Sequence, residues 1–133
     1  AVYAALAEQG FFDKSCLQTH YQNGSKLSGH ISHKGIPGVE MSTGSLGHGL
    51  PVATGMAIVA KRRKQQHRIF VLLGDGECDE GTTWESALFA GHHKLNNLIV
   101  LLDYNKIQSL DFVNKTIKLE PLSPNAPGLP QYI

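Results

Sequence analysis

The stretch 69–108 opens with Ile69-Phe70-Val71-Leu72-Leu73-Gly74-Asp75-Gly76 and closes with Leu98-Ile99-Val100-Leu101-Leu102-Asp103-Tyr104-Asn105-Lys106-Ile107-Gln108. Each apolar run is short, unbroken and bounded by polar residues or Gly, as expected of a strand buried on both faces of a parallel sheet. An acidic turn and a helical segment lie between them, so the pair reads as one βαβ unit. Parallel strands bring their carboxyl ends side by side, which places Asp75 and Asn105 at the same end of the sheet. Ligands of open α/β sheets bind at that end.

At 133 residues and 41% hydrophobic content, the chain suits one globular domain with a real core. Its apolar runs fall well short of the roughly 20 residues needed to span a membrane, and the start does not resemble a signal peptide. A formal charge of +1 and a pI near 8.0 leave no excess of base for nucleic acid. Cys16 and Cys78 are too few and too far apart for a disulfide framework or a thiolate metal site. A reduced, cytoplasmic setting is expected. The first residues, 1–9, read as a helix already under way and closed by Gly10, so the chain is expected to start upstream. Residues 123–133, rich in Pro, read as a tail or linker after a domain covering 1–122.

Between these ends, 14–20 reads as a short helix in a polar loop region. The segment 28–38 is too rich in Gly, Ser and Pro for a regular element, and His30 and His33 fit either a functional loop or an ordinary exposed one. Thr43-Gly44-Ser45-Leu46-Gly47-His48-Gly49 lets backbone approach a ligand or a neighbouring segment closely. Pro51 suits a first helical turn, and the small-residue helix after it ends in Lys61-Arg62-Arg63-Lys64, a solvated terminus that complements the helix dipole. A further helix is expected from Thr82 or Thr83 with a Thr-x-x-Glu capping box, setting Trp84, Ala87, Leu88, Gly91 and Leu95 against the sheet. The adjacent His92 and His93 point apart and do not form a helical zinc pair.

Three familiar loops fail at 74–83. The glycines are spaced G-x-G-x-x-x-x-G rather than G-x-G-x-x-G; the P-loop lysine is absent; and an EF-hand from Asp75 would have Glu80 where Gly is needed. What remains is a carboxylate, Asp75, a carboxamide, Asn105, and backbone carbonyls after Asn105. Such oxygen donors suit a hard cation such as Mg²⁺, which would reconcile the acidic turn with a phosphate ligand. On chemistry alone, ordinary strand-end turn residues account for the same pattern.

Gly74-Asp75-Gly76 with Asn105 about thirty positions after Asp75 resembles the thiamine diphosphate motif. With Thr43-Gly44-Ser45-Leu46-Gly47-His48-Gly49, Gly55-Met56-Ala57, Glu80-Gly81 and Asn105-Lys106-Ile107, the chain resembles the transketolase family from residue 1 to about residue 122. The resemblance implies an α/β thiamine diphosphate-binding fold, a parallel sheet with helices on both faces. It implies that Asp75, the Asn105 side chain and the Ile107 carbonyl hold Mg²⁺ or Ca²⁺, and that Gly74, Asp75, Gly76 and Asn105 form the diphosphate side of the site. Gly44, Ser45 and Leu46 would line the cofactor. His30 would reach substrate or cofactor, although Ile31 stands where the family's Gly-His-Pro has Pro. Glu80 and Glu85 match acidic residues that, in the family, link paired active sites at a subunit interface.

The implied activity is transfer of a two-carbon ketol unit from a ketose (phosphate) to an aldose (phosphate), with the cofactor carrying the chemistry. In the family, the Glu that activates the aminopyrimidine lies in a second domain that these residues do not contain. The chain would then work with a C-terminal transketolase subunit or domain, in a heterotetramer or homodimer. The alternatives are another thiamine diphosphate enzyme (a deoxyxylulose phosphate synthase, a dihydroxyacetone synthase or a 2-oxo acid dehydrogenase subunit) and a non-catalytic assembly module.

Overall fold

The computed structural model describes residues 1–119; the expected tail 123–133 and the boundary at 122 lie outside them. The chain forms two units, residues 1–45 and the residues from Leu46 onward. In the first, helix α1 (Val2–Glu8) ends as expected: Gly10 takes φ +79°, and the Gly10 and Phe11 amides donate to the Ala7 and Leu6 carbonyls at 3.0 Å. A 3₁₀ helix (Lys14–Thr19) occupies the polar loop region, and its Asp13 cap accepts the Ser15 amide. Tyr3, Leu27 and Ile36 make a small core, with Phe12, Leu17, Ile31 and Val39 packed against it.

The second unit is regular. Helix α2 (Gly49–Arg62) precedes strand β1 (Ile69–Gly74), a 3₁₀ turn (Asp75–Asp79), helix α3 (Gly81–His92), strand β2 (Leu98–Asp103) and a short helix α4 (Val113–Thr116). The strands pair in parallel from Ile69 with Leu98 to Gly74 with Asp103. The unit is therefore the expected βαβ, and the α/β class follows. Leu73, Leu98 and Val100 join Leu50, Ala53 and Ala57 of α2 and Ala87 and Ala90 of α3 in one buried cluster. Alanines on both helices permit close approach without leaving voids.

Among the described residues α2 and α3 cover one face of the strand pair, and Phe70, Leu72 and Leu101 on the other face are exposed. Two expectations are corrected. The capping box is absent: α3 begins at Gly81 with Glu80 as its cap residue and no side-chain cap bond. The two threonine hydroxyls are used elsewhere, Thr82 donating to the Gly47 carbonyl at 2.7 Å and Thr83 to the Glu77 carbonyl at 2.9 Å. Finally, the buried face of α3 is Thr83, Ser86, Ala87 and Ala90, while Leu88 and Gly91 are exposed. The apolar count along the helix misleads because small residues, rather than the largest ones, face the packed cluster.

The basic end of α2 is exposed, as expected. Lys61 also donates to the His93 and Lys94 carbonyls at 3.0 and 2.5 Å, placing a cation on the negative end of α3. His92 and His93 are exposed and touch each other's rings edge-on.

Candidate functional site

The carboxyl ends of β1 and β2 carry the expected polar pair. Gly74 ends β1 opposite Asp103, and the chain turns at once into the 3₁₀ helix that starts at Asp75. Asp75 is only 2% exposed. Its Oδ1 accepts the Gly76 amide at 2.9 Å, and its Oδ2 accepts the Lys106 amide at 2.7 Å. The second bond joins the two strand tips, because Lys106 follows Asn105 in the turn after β2. Lys106 has φ +68°, a left-handed conformation held by that bond to a buried carboxylate. Asn105 is exposed, and its Oδ1 accepts the Ile107 amide at 2.9 Å, an Asx-type turn. Gln108 completes the bridge by donating to Asp79 Oδ2 at 3.1 Å. A Cβ on Gly76 would lie 3.0 Å from the Gln108 Cβ.

These residues fit a hard cation. Each Asp75 oxygen and Asn105 Oδ1 spends one acceptor position on an amide and retains another. Among the described residues no three His, Cys, Asp or Glu side chains form a metal cage, so any ion here would rest on one carboxylate plus neutral amide and carbonyl oxygens, the donor set Mg²⁺ takes. The local field also favours a cation. Burial pushes the Cys78 thiol from 9.0 to about 11, and Glu77, Asp75 and Asp79 add to that rise.

The loop before α2 meets this tip in the same unit. Gly47 is buried at φ +78°, with its amide donating to Glu77 Oε1 at 3.1 Å. Leu46, one residue earlier, is exposed, and Glu80 is exposed beside Gly47. In the first unit, His30 is brought against Gly44: a Cβ on Gly44 would sit 2.9 Å from the imidazole Cγ, and Gly44 has φ +123°. The His30 carbonyl accepts from the Tyr3 hydroxyl at 3.4 Å and from the Ser28 hydroxyl. Ser45 is exposed at the end of that unit. His33 is tied to Ser42, its Nδ1 lying 2.7 Å from the hydroxyl.

Sequence alone does not single out Glu77 or Gln108 as site residues, and it marks Thr82 only as a helix start. Glu77 reads there as one more acid in an acidic turn. The signal that identifies it, the buried amide of Gly47 needing an acceptor, exists only once the chain is folded.

Comparison with known proteins identifies the family. The family model described as "Transketolase, thiamine diphosphate binding domain" matches residues 1–118. The chain is 49% identical over 121 residues to one subunit of the apulose-4-phosphate transketolase of Actinobacillus succinogenes, covering 90% of this chain and 44% of that protein. It is 42% identical over 122 residues to SqwG, a 6-deoxy-6-sulfo-D-fructose transketolase subunit from a Clostridium species, covering 92% and 44%. Among solved structures, transketolase from Leishmania mexicana superposes with a TM-score of 0.72 at 31% identity, over 87% of this chain and 19% of that one. The chain thus spans less than half the length of these curated relatives. With its family model, its relatives and its parallel α/β fold in agreement, the chain belongs to the transketolase family, within that family's thiamine diphosphate binding domain.

Proposed function

We propose that this chain is the thiamine diphosphate and Mg²⁺ (or Ca²⁺) binding part of a transketolase that moves a two-carbon ketol unit from a ketose (phosphate) to an aldose (phosphate). One observation carries the reading: Asp75, buried at the tip of β1, accepts the Lys106 amide and so gathers a carboxylate, the Asn105 carboxamide and the backbone of Ile107 at one strand end. In this reading Asp75, Asn105 and the Ile107 carbonyl hold the metal. Gly74, Gly76 and Asn105 bear on the diphosphate, and Gly44, Ser45 and Leu46 on the rest of the cofactor. His30 faces substrate or cofactor, and Glu80 serves the partner-linked acid network.

When bound, thiamine diphosphate supplies a nucleophilic carbon able to break and remake the bond beside a ketose carbonyl. This chain's own work is to fix the diphosphate end. A metal held there would offset the charge of the acidic turn, and the Asp75 bonds to two amides keep both strand tips in place before the cofactor arrives. A C-terminal transketolase subunit or domain completes the assembly, as a heterotetramer or homodimer. The domain ends near residue 122 with 123–133 as its tail, and the setting is cytoplasmic. The relatives named for an unusual sugar phosphate and for a sulfonated sugar favour a specialised split transketolase over a general one.

The test is thermal unfolding of the chain, with its partner, in the presence and absence of thiamine diphosphate and Mg²⁺. Both ligands together are expected to raise the midpoint, and Asp75→Ala is expected to abolish the rise. An equal rise in Asp75→Ala, or none in the natural chain, refutes the assignment. A donor and acceptor sugar screen on the assembled complex then separates ketol transfer from the other thiamine diphosphate chemistries. Cofactor bound without two-carbon transfer from any ketose would point instead to an assembly module.

A further inference from the structure

One residue of the glycine loop is held through the peptide units on both its sides. The Gly47 amide donates to Glu77 Oε1 at 3.1 Å, and the Gly47 carbonyl accepts from the Thr82 hydroxyl at 2.7 Å. A side chain at Gly47 would meet Thr82 Oγ1 at 2.5 Å and the Glu80 Cβ at 2.8 Å. A Cβ on Gly49 would lie 3.6 Å from the same Glu77 oxygen. Thr82 and Glu80 therefore close the space beside Gly47, while the Glu77 carboxylate lies in ordinary contact distance of Gly49. Glu77 is also the residue after Gly76, so one short 3₁₀ turn carries the tip carboxylate of Asp75 at its start and the loop's anchor two residues on.

We propose that Glu77 and Thr82 are positioning residues for cofactor binding. Together they hold Leu46 and Gly47 in register with Asp75 and Gly76, so that the loop and the strand tip are arranged before the cofactor binds. This inference rests on the thiamine diphosphate reading. A carboxylate accepting a buried amide is a charge-assisted bond, and the Thr82 bond to the carbonyl of the same residue holds the following peptide unit as well. Without the clamp, part of the binding energy is spent on ordering the loop, and affinity falls.

The test uses the full chain with its partner subunit. Thiamine diphosphate dissociation constants are measured at saturating Mg²⁺, well below the unfolding midpoint, and cofactor-free midpoints are recorded separately. Glu77→Ala is expected to weaken cofactor binding about tenfold, as loss of one charge-assisted bond implies. Glu77→Gln keeps an acceptor oxygen and should stay within about threefold of the natural chain. Thr82→Val should weaken binding while Thr82→Ser restores it. Natural affinity in Glu77→Ala with only a lowered midpoint overturns the proposal and leaves the cofactor reading intact. If Glu77→Ala does not fold, Thr82→Val decides, since natural affinity there overturns the clamp equally. A natural chain that binds no thiamine diphosphate overturns the cofactor reading, and the clamp with it.

Discussion

The two units of this chain are held together in different ways. The unit of residues 1–45 has one helix of 7 residues, a 3₁₀ turn and long loops around a core cluster of three buried side chains. The second unit stacks two helices and a parallel strand pair around a buried cluster three times that size. Their most buried large side chains make a matched pair, Leu27 in the first and Leu50 in the second, each 1% exposed. The same side chain, equally buried, thus lies mostly among loop residues in one unit and among regular elements in the other. The difference should be measurable, because a cavity is tolerated when its walls can close and costs more when they cannot.

Leu50→Ala is expected to have the largest effect. Its walls are α2, α3 and the strands, which move only as bodies, so a loss of about 4 kcal/mol is expected in urea-induced unfolding. Leu27→Ala removes the same atoms from a loop-walled site and should cost about 2 to 3 kcal/mol, near the lower end for this substitution. Equal losses in the two variants would remove the distinction between the units.

The second prediction concerns glycines at left-handed positions in each unit. Gly47→Ala forces a Cβ to 2.5 Å from Thr82 Oγ1 at φ +78° and should cost about 1 to 3 kcal/mol. Gly35→Ala, at φ +73° with nothing within 4 Å of the added carbon, carries the backbone strain alone and should cost about 1 kcal/mol. The gap between the two variants measures the clash separately from the strain.

The same division governs what could be read in advance. In the second unit, Ile69 to Leu73 and Leu98 to Leu102 declare two parallel strands because burial in a sheet selects unbroken apolar runs. The polar residues just after them, Asp75 and Asn105, mark the candidate site because parallel pairing brings the strand ends together. Two features were not legible. The packed face of α3 is made of small residues, Thr83, Ser86, Ala87 and Ala90, and a hydrophobicity pattern weights Leu88 over Ala87. The hydroxyls of Thr82 and Thr83 had a local use as helix caps but bond instead to the Gly47 and Glu77 carbonyls, the first of them far away in the chain. In the first unit, Gly10 was legible as a helix end, whereas the seating of His30 against Gly44 was not. It depends on loops brought together by single contacts such as the Tyr3 hydroxyl, which no periodicity announces.

That hydroxyl provides a smaller test. It donates to the His30 carbonyl at 3.4 Å and accepts the Ser32 amide at 3.2 Å, so it pins both sides of the His30 segment. Tyr3→Phe keeps the ring in the core and removes only the oxygen. A stability loss of about 1 kcal/mol is expected, with faster amide exchange confined to residues near Ser32. Unchanged exchange there would show that the segment is held by packing alone.

The smallest effect separates the units by their thiols. Cys16 is exposed in the first unit, and Cys78 is buried in the second with its Sγ donating to the Gly74 carbonyl at 3.9 Å. Only the thiolate reacts with iodoacetamide, so in the native protein near pH 8 Cys16 should be alkylated and Cys78 spared. Unfolding should equalise them. Cys78 also leaves a signature in alkaline stability. Its thiol rises from 9.0 to about 11 on folding, chiefly by burial. Below about pH 9 both states hold the proton and the stability difference is fully present. As pH climbs from 9 towards 11 the unfolded chain releases the proton first, which draws the equilibrium towards unfolding. The unfolding midpoint of the natural chain should therefore fall more steeply across that window than the midpoint of Cys78→Ala, with the two slopes converging below pH 9. Parallel slopes throughout would mean that burial beside the strand tip does not hold Cys78 protonated.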